Sequence, residues 1–343
     1  MVRTRSWLIA AVALGLGAGA CKKNEDKKSD NAAADKATEQ GPLSKAAGAG
    51  AALAGADDLS LLPADSDVVV GLNFAQLQQS ALWKQFASKL IEKNASELAE
   101  FKAVCGFDPM ESFKSMSIGL KGVDGGKTPD GAIVIHGPDK AKSMACLTGK
   151  GKEELQKKGT EVTIDGDVVV MKNGDETTAW TFVSNDTVLG VVGASASKDT
   201  LLAAAKGTSK LKDSPAFVEM YSKINSKDSL WFLVNGNAAF MQKAALPGGK
   251  PKAVFGSINV TDGLTLNLRV RMASADEATS LVTMMKGQTS SPQVKQMFDK
   301  LEVSADGTDA KVEVAMSNQK LQQLIGMFGG MMGGMMGGGM GAP

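Results

Sequence analysis

Histidine, cysteine and tyrosine are scarce in this chain of 343 residues, which has one histidine, three cysteines and one tyrosine. A single histidine cannot form a His-rich metal site, and a nucleophilic triad would need a serine and an acid placed around it. The sequence has no G-x-S-x-G elbow, Walker loop or H-E-x-x-H motif. We therefore expect His136 to be structural or exposed, and we expect the protein not to be an enzyme.

The chain also lacks an excess of positive or of negative charge. Lysine and arginine number 38 against 37 aspartate and glutamate, so no basic excess points to a nucleic-acid partner. Apolar residues make up 43% of the chain, which is enough to bury a core. This composition excludes a collagen, a coiled coil and a wholly disordered chain.

The N-terminus has the pattern of a secretory signal. Arg3 and Arg5 precede an apolar run at residues 7–20, which is shorter than the roughly 20 residues that a membrane-spanning helix needs. Small residues then lead to Cys21, a pattern that resembles the bacterial lipobox, although Ala18 occupies the position where leucine is preferred. We predict a signal peptide at 1–20, diacylglyceryl modification of Cys21, and an exported protein that faces the periplasm or the cell surface.

Two alternatives to this anchor remain open. Ala18-Gly19-Ala20 also fits the ordinary A-x-A cleavage rule, so simple secretion with a free Cys21 is one, and an uncleaved anchor is the other. Residues 21–59 are rich in charge, alanine and glycine and contain no aromatic residue. Because such a segment cannot bury enough apolar surface to fold, we predict a flexible tether, which suits a lipid-anchored domain.

The two remaining cysteines, Cys105 and Cys146, form one pair in a chain that we expect to be exported. Oxidising compartments favour disulfides, and this one would close a loop worth roughly 4 kcal/mol of chain entropy. Two buried thiols are the alternative. A metal pair is less consistent with the sequence, because no histidine or third cysteine lies near either residue.

The remaining sequence predicts an α+β fold made of two tandem β-α-β-β-α-β-like repeats with mostly antiparallel sheets. The first repeat has predicted strands at 67–73, 115–121, 132–136 and 161–170, with helices before Gly106 and after Asp139. The second has strands at 229–235, 253–260, 264–272, 301–305 and 311–315, with helices at 238–245 and 275–300, the latter broken near Pro292. This order is the ferredoxin-like pattern, in which both helices cover one sheet face.

Two pairs of similar segments support the repeat. SIGLKGVDG at 117–125 is similar to SINVTDG at 257–263, and EVTIDGDVVVMKN at 161–173 is similar to EVSADGTDAKVEVAMSN at 302–318. The offsets, 140 and 141 residues, agree. We predict a first unit at 60–226, with an additional hairpin at 178–192 and helices at 198–205 and 215–224, and a second unit at 227–326.

Three segments, LLPADSDVVVGLN, CGFDPMESFKSMSIGL and IVIHGPDKAKSMACL, resemble predicted bacterial surface lipoproteins of unknown function. In that group an LPAD opening and paired cysteines recur. The resemblance covers residues 60–150, and it implies a lipoprotein and a Cys105–Cys146 pairing. Its motifs are structural, so it implies no chemistry.

The C-terminal segment, residues 327–343, is unusually rich in glycine and methionine. We predict a disordered tail in which methionine supplies adaptable apolar contacts. Thioethers are also soft ligands for Cu(I), and the candidates are Met331, Met332, Met335 and Met336. Contact with a membrane is a third alternative, although a spanning helix is disfavoured by so many glycines.

Acidic pairs offer one further candidate site. Asp165 with Asp167, and Asp306 with Asp309, flank Asp-Gly turns. Weak calcium sites are an alternative, but turn chemistry explains these residues better. We expect no cofactor and no nucleic-acid partner. The sequence favours a non-catalytic binding or structural role in the cell envelope, with a protein or a small apolar molecule as ligand. The alternatives are an exported hydrolase that uses carboxylates and Cu(I) binding by the tail.

Overall fold

The structure is a computed structural model that describes residues 58–123, 128–207, 210–242 and 249–324. The predicted signal peptide, Cys21, almost all of the tether and the tail with its methionines lie outside these residues. The described part begins at Asp58, two residues before the predicted boundary of the first unit. Both Asp58 and Leu59 are buried, because they pack with the core rather than extending into solvent.

Twelve strands form one continuous antiparallel sheet in the described part of the chain. They are β1 (Val68–Asn73), β2 (Ser115–Lys121), β3 (Asp130–His136), β4 (Glu161–Asp165), β5 (Val168–Asn173), β6 (Glu176–Phe182), β7 (Thr187–Val192), β8 (Leu230–Asn235), β9 (Ala253–Asn259), β10 (Leu264–Arg271), β11 (Lys300–Asp306) and β12 (Asp309–Met316). Their order across the sheet is β11-β12-β10-β9-β8-β1-β2-β3-β7-β6-β5-β4. The predicted α+β class with a mostly antiparallel sheet is confirmed.

Helices fill the connections between these strands. They are α1 (Phe74–Gln79), α2 (Ala81–Lys93), α3 (Ala95–Cys105), α4 (Pro109–Ser112), α5 (Lys140–Thr148), α6 (Lys150–Lys157), α7 (Lys198–Lys206), α8 (Pro215–Tyr221), α9 (Ala239–Gln242), α10 (Ala275–Thr289) and α11 (Pro292–Met297), with a short 3₁₀ helix at Leu211–Asp213. The side chain of Asp139 accepts a hydrogen bond from the backbone N–H of Lys142. This bond is the predicted N-terminal cap of α5.

The first strands of the two predicted units, β1 and β8, pair with each other at the centre of the sheet. Val68 lies opposite Val234 and Leu72 lies opposite Leu230. The indole ring of Trp231 covers Gly71, where a Cβ atom would come within 2.1 Å of that ring. The two predicted units are therefore halves of one sheet with a shared core, rather than separate domains.

The two faces of the sheet carry different apolar clusters. We call the face with Val69, Val134, Leu189 and Phe255 the front face, and the opposite face, with Trp180, the back face. On the front face, the segment from Leu59 to Leu62, α7, the 3₁₀ helix and α8 pack over the part of the sheet that runs from β9 to β5. On the back face, α5 and α6 cover the first half, and α10 covers the second half.

The ferredoxin-like arrangement predicted from the element order is wrong in two respects. Helices cover both faces of the first half, because α7 and α8 lie on the front face while α5 and α6 lie on the back. In addition, β1 and β2 are antiparallel neighbours, although the helices α1 to α4 connect them. The sequence correctly predicted the order of elements, but the order of strands in space depends on pairings between distant segments.

The two halves share the order of their first three strands but differ in which hairpin follows the third strand in the sheet. In the second half the hairpin β11–β12 lies beside β10, with β12 as the neighbour. In the first half the position beside β3 is taken by β7 of the hairpin β6–β7. The segment that resembles β11–β12 in sequence, the hairpin β4–β5, is therefore displaced to the edge of the sheet by the additional hairpin.

Candidate functional site

A disulfide joins Cys105, the last residue of α3, to Cys146 in α5, with their Cα atoms 4.8 Å apart. The bond ties α3, which has no fully buried residue, to a helix that packs on the sheet. Gly151 lies against this bond, because a Cβ atom there would come within 2.5 Å of the sulfur of Cys146. A side chain at position 151, in α6, would thus push α6 away from α5.

An apolar cleft lies beside the disulfide, between α3 and the pair α5 and α6. Its floor and walls are apolar, and the residues that contribute are Phe101, Val104, Phe107, Leu147 and Leu155. The rings of Phe101 and Phe107 meet edge to face with their centroids 5.1 Å apart. The cavity volume is about 60 Å³. This volume suits an apolar side chain or the end of an alkyl chain, since pockets for whole drug-sized ligands measure about 300–1,000 Å³.

Carboxylates surround the mouth of this cleft. Glu97, Glu100 and Glu154 line it together with a single cation, Lys158, whose ammonium donates to Glu100 over 2.9 Å. A hydrogen bond from Lys157 lowers the pKa of Glu154 below its ordinary value, so this carboxylate is ionised at neutral pH. The mouth consequently favours neutral or cationic ligands over anionic ones.

His136 belongs to a hydrogen-bond network that the sequence did not predict. Its Nε2 atom lies 2.7 Å from Oδ1 of Asp58, and its Nδ1 atom lies 3.1 Å from Oγ1 of Thr187. The hydroxyl of Ser117 donates to Oδ2 of the same aspartate over 2.6 Å. Because an ionised carboxylate only accepts hydrogen bonds, Nε2 is the protonated nitrogen of this imidazole.

In this network the serine and the histidine both bind the aspartate and not each other, which indicates a structural role and not a catalytic triad. Ser117 binds the carboxylate of Asp58 rather than the imidazole, so the serine is not oriented as a nucleophile by His136. Asp58 is 1% exposed, and its backbone carbonyl accepts the N–H groups of Leu61 and Leu62. The network therefore fixes the first described residue of the chain to the ends of β2, β3 and β7. The predicted structural role of His136 agrees with this geometry.

A second network of charges lies on the front face of the other half, around Asp309. This carboxylate is fully buried, and it accepts hydrogen bonds from Arg271 and from Lys223. Burial alone would raise the pKa of Asp309, but these two cations outweigh it and hold the pKa below the ordinary value. Arg271 also contacts Glu219, and its guanidinium lies 5.3 Å from the ring centre of Phe255.

The acidic pairs that suggested calcium sites hold cations of the chain instead. Asp165 pairs with Lys198, Asp167 with Lys140, and Asp306 with Arg269. The turns themselves place Gly166 and Gly307 at positive φ angles of 61° and 59°, which agrees with the prediction of turn chemistry. Within the described ranges, no group of three or more His, Cys, Asp or Glu residues is arranged to hold a metal ion.

The charged network of the second half could not be predicted from the sequence, because its members are far apart in the chain. One local signal was available: in β10, Asn267, Arg269 and Arg271 alternate with leucine and valine. Such alternation indicates a strand with one apolar and one polar face. It predicts an uncovered polar face but does not identify the partners on β12 and α8.

Comparisons with known proteins concern the fold. No family model matches the chain, and no curated protein matches it. The chain is similar to a solved structure of TP0453, crystal form III, which is 12% identical, covers 78% of this chain and 96% of that chain, and gives a TM-score of 0.50. Crystal form I of TP0453 is 11% identical over 79% of this chain and 97% of that chain, with a TM-score of 0.48. At this identity the likeness is one of fold alone.

Proposed function

We propose that this protein is an exported lipoprotein, anchored to a membrane through a lipid on Cys21, with a non-catalytic binding role in the cell envelope. The support for the anchor is the signal-like N-terminus followed by small residues and a cysteine. Among the described residues, none of the helices combines the length and the apolar character that crossing a bilayer requires. A lipid on Cys21 would supply the membrane contact that such a helix would otherwise provide.

The anchor is tested by metabolic labelling of the native host with palmitate. We expect the wild-type protein to carry the label and to fractionate with membranes, and we expect Cys21→Ala to lose both. Lys23→Ala is the matched control, since it changes the same segment and keeps the cysteine. Unlabelled wild-type protein in the soluble fraction would contradict the proposal and would favour simple secretion.

The apolar cleft beside the disulfide carries the binding role. Half-buried apolar side chains converge there beneath a rim of carboxylates, and they remain in contact with solvent because no other part of the described chain covers them. Burying apolar surface contributes about 25 cal/mol per Å². The cleft is therefore suited to an apolar group of a neutral or cationic ligand, such as a peptide side chain or the end of an alkyl chain.

This role is tested with diphenylhexatriene, a neutral apolar probe whose fluorescence rises in an apolar site. Val104→Asp puts a charge into the cleft, and we expect it to weaken probe binding at least about fivefold, or about 1 kcal/mol. Ala103→Asp is the matched control, because Ala103 is the preceding residue of α3 and is exposed. Equal binding by the two variants would exclude the cleft as the binding site.

A further inference from the structure

A second pocket lies on the front face of the second half, far from the apolar cleft and unlike it in character. It is formed by β9, β10 and β12 together with the segment that follows α8. Its lining is polar and basic, and it consists of Lys223, Asn225, Gly256, Ser257, Asn267, Arg269 and Lys311. No carboxylate is among these residues, and the cavity volume is about 140 Å³.

Two of the cations are placed side by side by the sheet itself. Arg269 and Lys311 are directly opposite each other on β10 and β12, and like charges in that position destabilise an antiparallel pair. Their carboxylate partners do not line the pocket: Arg269 contacts Asp306 over 2.6 Å and Asp309 over 3.6 Å, and Lys311 contacts Glu313. Lys223, the third cation, contacts the buried carboxylate of Asp309 over 2.9 Å and Glu219 over 3.0 Å.

The pocket retains hydrogen-bond donors that these carboxylates do not use. An ammonium group has three hydrogens and a guanidinium has five, so the one or two carboxylate partners of each cation leave some hydrogens free. The hydroxyl of Ser257 is buried and has no hydrogen-bond partner. Since strand pairing puts Ser257 directly opposite Asn267, an exposed residue, these two side chains are neighbours in the same pocket.

We propose that this pocket binds a phosphate group. Three cations, an unpartnered hydroxyl and no lining carboxylate form a site rich in donors, which matches an oxyanion that only accepts hydrogen bonds. The group can belong to a phospholipid headgroup or to a soluble phosphorylated molecule. Because each cation already has one or two carboxylate partners, we expect a Kd of about 1–10 mM and weaker binding at high salt.

The proposal is tested by titrating the purified protein with inorganic phosphate in a calorimeter. We expect Lys311→Gln and Ser257→Ala each to weaken binding at least about fivefold. Lys300→Gln is the matched control, because Lys300 contacts the same Glu313 from the same face but does not line the pocket. We expect it to stay within about twofold of wild type.

Folding of the variants is checked by thermal melting, and Asn267→Ala is a further variant at an exposed position. Absence of phosphate binding by the wild-type protein at about ten times the expected Kd would overturn the proposal. Equal weakening by Lys300→Gln and Lys311→Gln would also overturn it, because binding would then reflect the general charge of this face.

Vesicle flotation distinguishes the two sources of phosphate. The protein carries Cys21→Ala in this experiment, so that no lipid anchor contributes. Flotation with phosphatidylcholine vesicles that contain phosphatidic acid, lost in Lys311→Gln, would assign a lipid headgroup. Binding of inorganic phosphate and glycerol 3-phosphate without flotation would assign a soluble ligand. Both results depend on the basic pocket alone, so they are independent of the apolar cleft.

Discussion

The two halves of the sheet are built from similar elements but are stabilised differently. In the first half, helices cover both faces, and five of the six residues of β7 are buried. In the second half, α10 covers the back face, and only one of the eight residues of β10 is buried. Apolar packing therefore dominates the first half, whereas the front face of β10, β11 and β12 depends on charge pairs.

This difference follows from where α7 and α8 lie. They pack over the centre and the first half of the front face, whereas in the described part of the second half the helix of the apolar cluster, α10, lies on the back face. Strands with both faces buried read as apolar runs, while a strand with one solvated face alternates. The protein thus has one half specialised for stability and one half with an accessible polar face.

The largest expected effect is in the doubly covered half. Trp180 is 2% exposed, and its ring lies over Gly190, so Trp180→Ala leaves a cavity that the neighbours cannot fill. We expect it to lower the free energy of unfolding by about 3–5 kcal/mol. On the charged face, Lys300→Ala should change it far less, because Lys300 is exposed. Urea denaturation of both variants compares the halves directly, and similar losses would refute the contrast.

The disulfide is the next largest contribution and belongs to the first half alone. Its two cysteines are 41 residues apart in sequence, so we expect Cys105→Ser with Cys146→Ser to lower the free energy of unfolding by about 2–4 kcal/mol. Reducing agent added to the wild-type protein should have the same effect and should leave the double variant unchanged. Non-reducing mass spectrometry of the native protein that finds two free thiols would contradict the pairing.

Within the charged half, we expect the more buried aspartate to contribute more to the free energy of unfolding. Asp309 is fully buried and Asp306 is largely exposed. Asp309→Asn leaves Arg271 and Lys223 without their buried partner, and we expect a loss of about 3 kcal/mol. Asp306→Asn should cost about 1 kcal/mol or less. If denaturation gave the same loss for both, the buried network would not be the element that holds this face together.

Acid should affect the charged half first. Hydrogen bonds from Lys300 and Lys311 lower the pKa of Glu313 from 4.5 to about 2. A group whose pKa is lower in the folded state stabilises the fold above its ordinary pKa, and this stabilisation is lost as the pH falls. We expect Glu313→Gln to be slightly less stable than wild type at pH 7, with the difference vanishing between about pH 4.5 and 2. A difference that did not depend on pH would contradict this origin.

Local features of the fold were predictable from sequence, and long-range ones were not. Alternation, Asp-Gly turns and the cap at Asp139 gave correct strands, hairpins and helix starts. The pairing of β1 with β8 was not predictable, because nothing local in either strand specifies a partner more than 150 residues away. The single sheet, and with it the shared core around Trp231, depends on that pairing.

The candidate sites divide in the same way. Composition and compartment predicted the pairing of Cys105 with Cys146, and the two helices that carry them form the apolar cleft. The basic pocket draws on Lys223, Arg269 and Lys311, which belong to three separate segments. Asp58 was assigned to the tether because its neighbours in sequence are small and polar, although tertiary contacts with His136 and Ser117 bury it.

The central position of β1 also has a consequence for biogenesis. Its partner β2 follows within the same half, but its other partner, β8, begins only at Leu230. During N-terminal-first synthesis, β1 remains an exposed edge strand of the first half until β8, about 160 residues further along the chain, has emerged. An unpaired edge strand is a template for aggregation. Completion of this sheet therefore depends on rapid arrival of β8, and chaperones would be most needed in that interval.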